Sequence, residues 1–286
     1  MVKVLVLGSD GMLGNAVVKY LSGFPSLRLY KTHKNVNLCK DSRSYSLFID
    51  QGFVVKLQDL LNKIKPDWII NCLGVIRPGN SFEDYKNTIV VNSVLPRILS
   101  LYCEGGNSKL IHVSTDCVFS GKVGNYGVYD LPDEESVYGI SKLLGECSGR
   151  NTLTIRTSII GIEIGTQRNL LNWFLENKEG VVEGYSNVFW NGVTTLTLAK
   201  IIQRIINYRD LKFKDPVLQI CSQKVSKFDL LNMFNDVFNK KISIIERKDI
   251  KSDKTLRSSP EQKELFSDLI PSLEEQLKEL KSFYGL

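Results

Sequence analysis

Val2-Lys-Val-Leu-Val-Leu7 runs into Gly8-Ser-Asp-Gly11-Met-Leu-Gly14 and then into Ala16-Val-Val-Lys-Tyr-Leu21, and this stretch decides how the chain folds. The first six residues carry one lysine in an otherwise apolar run, as a strand buried on both faces requires. Residues 16–21 have helical periodicity. Between them, glycines spaced G-x-x-G-x-x-G permit a tight turn, close approach of a pyrophosphate and close packing of helix on strand. The helix start then offers amide donors and a positive dipole end to phosphates. Strand, glycine turn, helix is the context of a dinucleotide site, with Gly8, Asp10, Gly11, Met12, Leu13 and Gly14 as its candidate residues. A glycine turn holding no ligand is the alternative, and the first-strand position argues against it.

The second strand should begin at Leu27 and run into Lys31-Thr-His33-Lys34. An acid near the end of this strand usually holds the ribose 2′-hydroxyl of NADH. No acid stands there. Lys31, His33 and Lys34 could instead pair a 2′-phosphate, which favours NADPH, with NADH still possible. Asn37 and Leu38 could lie against the adenine. Asp41–Lys65 reads as one or two helical segments. Trp68-Ile-Ile-Asn71 is another buried strand, and Cys72, Leu73 and Gly74 form a turn passing the cofactor. Ser81–Cys103 is a long helical stretch with Asn92 in its apolar middle and Pro96 as a kink. Asn92 either supports a site lysine through water or makes a purely structural hydrogen bond.

Tyr138-Gly-Ile-Ser-Lys142-Leu-Leu-Gly-Glu146 sets a phenol and an ammonium one helical turn apart, on one face. An ammonium nearby lowers a phenol's pKa, and such a pair can hand a proton to a developing alkoxide. Lys109-Leu-Ile-His-Val113 is a strand ending in Ser114-Thr115-Asp-Cys117, so a hydroxyl lies where a doubly wound sheet collects its chemistry. Thr115 could hold a carbonyl oxygen beside Tyr138. His112 lies inside the strand and reads as a core or interface residue. Gly121–Glu135 is a polar loop over the substrate.

The 286 residues suit one large domain or two intimate ones. A net charge of +6, with basic and acidic residues intermixed, is no nucleic-acid-binding tract. No apolar run reaches membrane-span length, and the N-terminus reaches glycine too early for a signal peptide. The six cysteines show no metal-ligand spacing and read as reduced thiols of a cytoplasmic protein. Strand–helix alternation to Arg156 predicts an α/β fold, a doubly wound parallel sheet. Residues 1–156, with a return segment near 193–221, would form the cofactor domain. Residues 157–192 and 222–286 would form a smaller substrate-binding region.

These pieces together resemble an extended short-chain dehydrogenase/reductase of Rossmann type, through Gly8/Gly11/Gly14, Asn71/Gly74, Ser114-Thr115 and Tyr138-x-x-x-Lys142. Within that superfamily, Ser114–Gly121, Tyr138–Glu146 and Ile155-Arg-Thr-Ser158 resemble the dTDP-4-dehydrorhamnose reductase family. The resemblance implies NADPH-dependent reduction of the 4-keto group of a nucleotide-linked 6-deoxyhexose, by a monomer or homodimer. Tyr138 would donate the proton, Lys142 would lower its pKa and hold the nicotinamide ribose, and Thr115 would orient the carbonyl. Two departures stand out. Cys117 replaces a common tyrosine and resembles the epimerisation acid/base of GDP-fucose synthases; it either serves so or lines the pocket. No second acid/base is evident in Gln167–Trp173. Ile159 replaces a tryptophan expected to touch the sugar. Relatives that bind NADP without catalysis, as regulatory subunits, form a third possibility.

Overall fold

The computed structural model describes residues 1–34, 37, 39, 41–50, 52–164, 169–177, 180–208 and 215–286. In chain order its elements are β1 (Val2–Leu7), α1 (Met12–Leu21), β2 (Leu27–His33), β3 (Ser44–Ser46), α2 (Phe53–Ile64), β4 (Trp68–Asn71), α3 (Phe82–Ile89), α4 (Leu95–Glu104), β5 (Lys109–Thr115), α5 (Val137–Gly145), β6 (Thr152–Thr157) and β7 (Ile159–Ile160). Then follow α6 (Leu170–Leu175), β8 (Val181–Tyr185), β9 (Val188–Trp190), β10 (Val193–Thr194), α7 (Thr195–Asn207), β11 (Val217–Gln219), β12 (Val225–Ser226), α8 (Lys227–Phe238), β13 (Ser243–Arg247), β14 (Ser252–Asp253), α9 (Pro260–Phe266) and α10 (Leu273–Tyr284).

Seven strands form one sheet in the order β11-β6-β5-β4-β1-β2-β3, with every pairing parallel. The strand order reverses at β1, so the crevice between β1 and β4 is the topological switch point, where ligands of such sheets bind. Val4 to Leu7 are each fully buried. Val4 and Val6 pack on the α1 and α7 side, while Leu5 and Leu7 pack on the α2 and α4 side. Helices on both faces thus explain the unbroken apolar run, and each such side chain contributes about 1.5–3 kcal/mol of burial.

A second core joins α6, α8 and α10 to short strands β8, β9 and β12, around Phe174, Trp190, Phe234 and Leu277. Residues 193–221 return to the sheet: α7 packs on α1, and β11 extends the sheet beside β6. Phe266 of α9 also enters the sheet-side core. No described helix is long and apolar enough to cross a membrane.

Two local differences from the sequence reading have physical causes. In Asp41–Lys65, a short edge strand, β3, precedes α2; three polar and aromatic residues carry too little periodicity to signal it. In the long helical stretch, the irregularity is a π-helical turn at Val90–Val94, ahead of Pro96, which sits in the first turn of α4 where proline is tolerated.

Candidate active site

The glycine turn is built for close approach. Gly8 has φ +80°, a conformation side chains disfavour, and a Cβ there would meet Leu73. A Cβ on Gly14 would lie 2.0 Å from the Gly8 carbonyl oxygen, so only glycine lets α1 sit on the turn. A Cβ on Gly11, by contrast, would meet only the Gly8 carbonyl oxygen, at an ordinary contact distance of 3.6 Å. Gly11 caps α1 without any side-chain bond, which leaves the first-turn amides for an anion. These features fit a dinucleotide pyrophosphate. Leu13 points into the core, so only its backbone can meet a ligand; Met12 is half-buried.

The turn is tied to the end of β2. Ser9 donates to the Thr32 carbonyl through its amide at 3.1 Å and its hydroxyl at 2.7 Å. Asp10 pairs with His33 Nδ1 at 2.5 Å and accepts from the Lys34 amide at 2.9 Å. Lys31 pairs with Asp41 at 3.1 Å, an aspartate held down at about 2 despite its partial desolvation by its hydrogen bonds, that from Lys31 first among them. The basic cluster is therefore not free of acids, as the linear sequence suggested. Asp10 arrives from the preceding loop and Asp41 from the following one. Among the described residues, the exposed Lys34 ammonium remains without an ion pair, and the buried His33 Nε2 has no hydrogen-bond partner. Asn37 is exposed, and Leu38 lies outside the described residues.

At the end of β4, Asn71 accepts from the Leu73 amide and meets His112 Nδ1 at 3.1 Å. His112 is fully buried, and burial, with Lys142 and Arg97 adding to it, keeps its ring neutral. Asn92 accepts from the Val75 amide at 2.9 Å and donates to the Val75 carbonyl and the Ser141 hydroxyl, both at 3.0 Å. It thus pins the Cys72–Val75 turn to Ser141, the residue beside Lys142. Half-buried Cys72 is pushed up to about 12 by burial, against the pull of Lys142.

Helix α5 starts at Ser136, whose hydroxyl accepts from the Gly139 amide. It brings Tyr138 beside Thr115, the last residue of β5. Thr115 is buried; its hydroxyl accepts from the Cys117 amide and donates to Asp116, both at 3.1 Å. Lys142 is 4% exposed and donates to the Val113 carbonyl at 2.7 Å. Burial brings it down to about 8, against the pull of Glu146 and Cys72.

The structure bears on the roles expected of Tyr138 and Cys117. Tyr138 is not lowered by Lys142: burial pushes the phenol well above its ordinary value, and the Thr115 hydroxyl offsets this only in part. The phenol is therefore protonated at neutral pH. Cys117 is likewise pushed up to about 12, by burial first and then by Asp116. That is opposite to the lowering a proton-abstracting thiolate needs.

Four polar residues at this cleft carry no signal in the linear sequence. Buried Asp116 is raised by desolvation, and Lys227 and Lys254 counter it. Lys254 pairs with Glu134 at 2.6 Å. Lys227, the first residue of α8, lies 5.2 Å above the Trp190 ring and is lowered by desolvation, partly offset by Asp116 and Cys117. These lysines come from more than 100 positions along the chain, a juxtaposition only the tertiary fold makes. The Gly121–Glu135 loop is fixed to residues 253–257 by Asp253 N to Gly121 O, Tyr126 N to Thr255 O and Arg257 N to Tyr126 O. Gln167 and Arg168 lie outside the described residues.

Comparison with known proteins agrees with this geometry. The methionine adenosyltransferase 2 subunit beta of Danio rerio is 30% identical over 150 residues, 50% of this chain and 42% of that one. The dTDP-4-dehydrorhamnose reductase of Mycolicibacterium smegmatis is 26% identical over 147 residues, 50% of this chain and 40% of that one. The chain thus spans about half the length of the curated relatives it matches. The dTDP-4-dehydrorhamnose reductase of Bacillus anthracis, solved in complex with NADP, superposes with a TM-score of 0.78 at 18% identity, covering 98% of each chain, which is a likeness of fold. The model of the RmlD substrate binding domain matches residues 2–208, most of the described sheet and the whole Thr115–Tyr138–Lys142 group, and the chain belongs to that family.

Proposed function

We propose that the chain is an NADPH-dependent reductase of the 4-keto group of a nucleotide-linked 4-keto-6-deoxyhexose. The observation that carries this is that Tyr138 stands beside Thr115 while the Lys142 ammonium bonds the Val113 carbonyl and lies near Gly74 at the end of β4. When bound, the nicotinamide would supply the hydride to C4 of the sugar. The protein's own groups do the rest. Tyr138, a phenol protonated at neutral pH and raised further by burial, donates a proton to the oxygen as charge develops there. Thr115 orients that oxygen. Lys142, a buried cation tethered to Val113, stabilises the negative charge and would reach the ribose of the bound cofactor. The Lys34 ammonium would hold the 2′-phosphate. Relatives named as dTDP-4-dehydrorhamnose reductases support the substrate class. NADPH oxidation measured with dTDP-, UDP- and GDP-linked 4-keto sugars tests the proposal; folded protein with no turnover on any of them overturns it.

A second reading, a regulatory subunit, draws on the 30% identity to a methionine adenosyltransferase subunit. The complete Thr/Tyr/Lys set speaks against it. Cofactor binding without turnover, joined to copurification with a larger enzyme, would favour it.

A further inference from the structure

Glu146 is a buried carboxylate that the proposed chemistry does not touch. Its side chain is 8% exposed and that of Arg156 is 4% exposed. Arg156 grips it with Nε on Oε1 at 2.9 Å and Nη2 on Oε2 at 2.6 Å, and the Ser114 hydroxyl donates to Oε1 at 2.7 Å. A buried ion pair gives little net stability over apolar residues of the same size, so its placement matters more than its energy.

That placement is specific. Glu146 stands one helical turn beyond Lys142 and favours its charged form. Ser114 immediately precedes Thr115. Arg156 Nη1 donates to Gln219 Oε1 at 3.2 Å, and Gln219 Nε2 donates to the carbonyls of Tyr126 at 2.9 Å and Arg257 at 3.0 Å. The guanidinium lies 5.1 Å from the Phe119 ring, which stacks on Tyr126 at 4.1 Å. One buried pair therefore joins α5, the end of β5 and the loop over the cleft.

We propose that Glu146, clamped by Arg156 one helical turn beyond Lys142, is a positioning residue that registers α5, and with it the Lys142 side chain, against the end of β5 and the Phe119–Tyr126 loop. The proposal rests on the reading of Tyr138 and Lys142 as the catalytic pair. The titratable groups around Lys142 leave Glu146 without a substitute. On its own helix there is Tyr138, protonated; from the end of β4, Cys72, pushed up to about 12. From β5 comes His112, neutral, with Arg97 of α4 behind it; from β6 comes Arg156, a cation. Among these described groups around Lys142, Glu146 alone brings a negative charge.

The test is Glu146→Gln in the full chain, with Lys142 titrated by NMR of its 13C-labelled Cε, assigned through Lys142→Arg. The expected result is a Lys142 midpoint about one pH unit below wild type, with the alkaline limb of activity moving equally. A wild-type midpoint in Glu146→Gln overturns the proposal. Should that variant not fold because Arg156 is stranded, Glu146→Gln/Arg156→Gln removes both charges. The double variant is expected to fold with a lowered midpoint. An unchanged midpoint, or failure to fold, overturns a positioning role. The NMR reading needs no turnover. Absence of reductase activity would sink the proposed function, while the midpoint alone decides the role of Glu146.

Discussion

The Lys142 ammonium is tethered to the Val113 carbonyl at 2.7 Å, at the strand end that also carries Thr115. This bond holds a cation in an apolar place, and burial brings it down to about 8. The ammonium is present below that pH and is lost as pH rises through it. Tyr138, raised by burial, stays protonated over the same range. The kcat profile should therefore be flat through neutrality and fall with a midpoint near pH 8. A profile flat to pH 10 would show that no ammonium of this kind is needed.

Lys34 should set cofactor choice. Lys31 and His33 are countered by Asp41 and Asp10, so the Lys34 ammonium is left for a phosphate. Lys34→Ala should raise KM for NADPH about tenfold, the scale of one charge-assisted bond, and barely alter KM for NADH. Equal loss with both cofactors would place the discrimination elsewhere.

The two glycines of the turn should separate folding from binding. Gly14→Ala drives a methyl into the Gly8 carbonyl at 2.0 Å. Overpacking of this kind costs about 1–3 kcal/mol, so Tm should drop by several degrees. Gly11→Ala makes only an ordinary 3.6 Å contact with the Gly8 carbonyl oxygen, at φ −74°. It should keep Tm within about one degree and lose cofactor affinity, because the methyl stands where a phosphate approaches. Thermal unfolding with and without NADPH reads both outcomes.

Cys117 should not act as a base. Its thiol is pushed up to about 12, so Cys117→Ser should retain reduction within about threefold. Wild type should exchange no solvent deuterium into the keto sugar without NADPH. Rapid exchange that Cys117→Ser abolishes would establish epimerisation instead.

Much of this was legible along the chain because it is local. The Val2–Leu7 run, the glycine spacing and the one-turn offset of Tyr138 and Lys142 are set by residues near one another. Thr115 was legible because it ends a strand. What was not legible depends on groups far apart in sequence. Asp10 reaches His33 across 23 positions, and Lys227 approaches Asp116 from another lobe. The direction of the Tyr138 shift was not legible for a similar reason: spacing shows the ammonium one turn away but not the depth of burial, and burial wins. Glu146 closes the Tyr138–Glu146 motif, yet its pairing with Arg156 arises only when β6 pairs with β5.

The most direct measurement is NADPH oxidation by wild type and Tyr138→Phe, with a panel of nucleotide-linked 4-keto-6-deoxyhexoses. Wild type should turn over at least one of them. Tyr138→Phe should bind NADPH with unchanged affinity and lose kcat by about 10²–10⁴-fold, the scale of a general acid. Wild-type turnover that Tyr138→Phe retains in full would contradict the account.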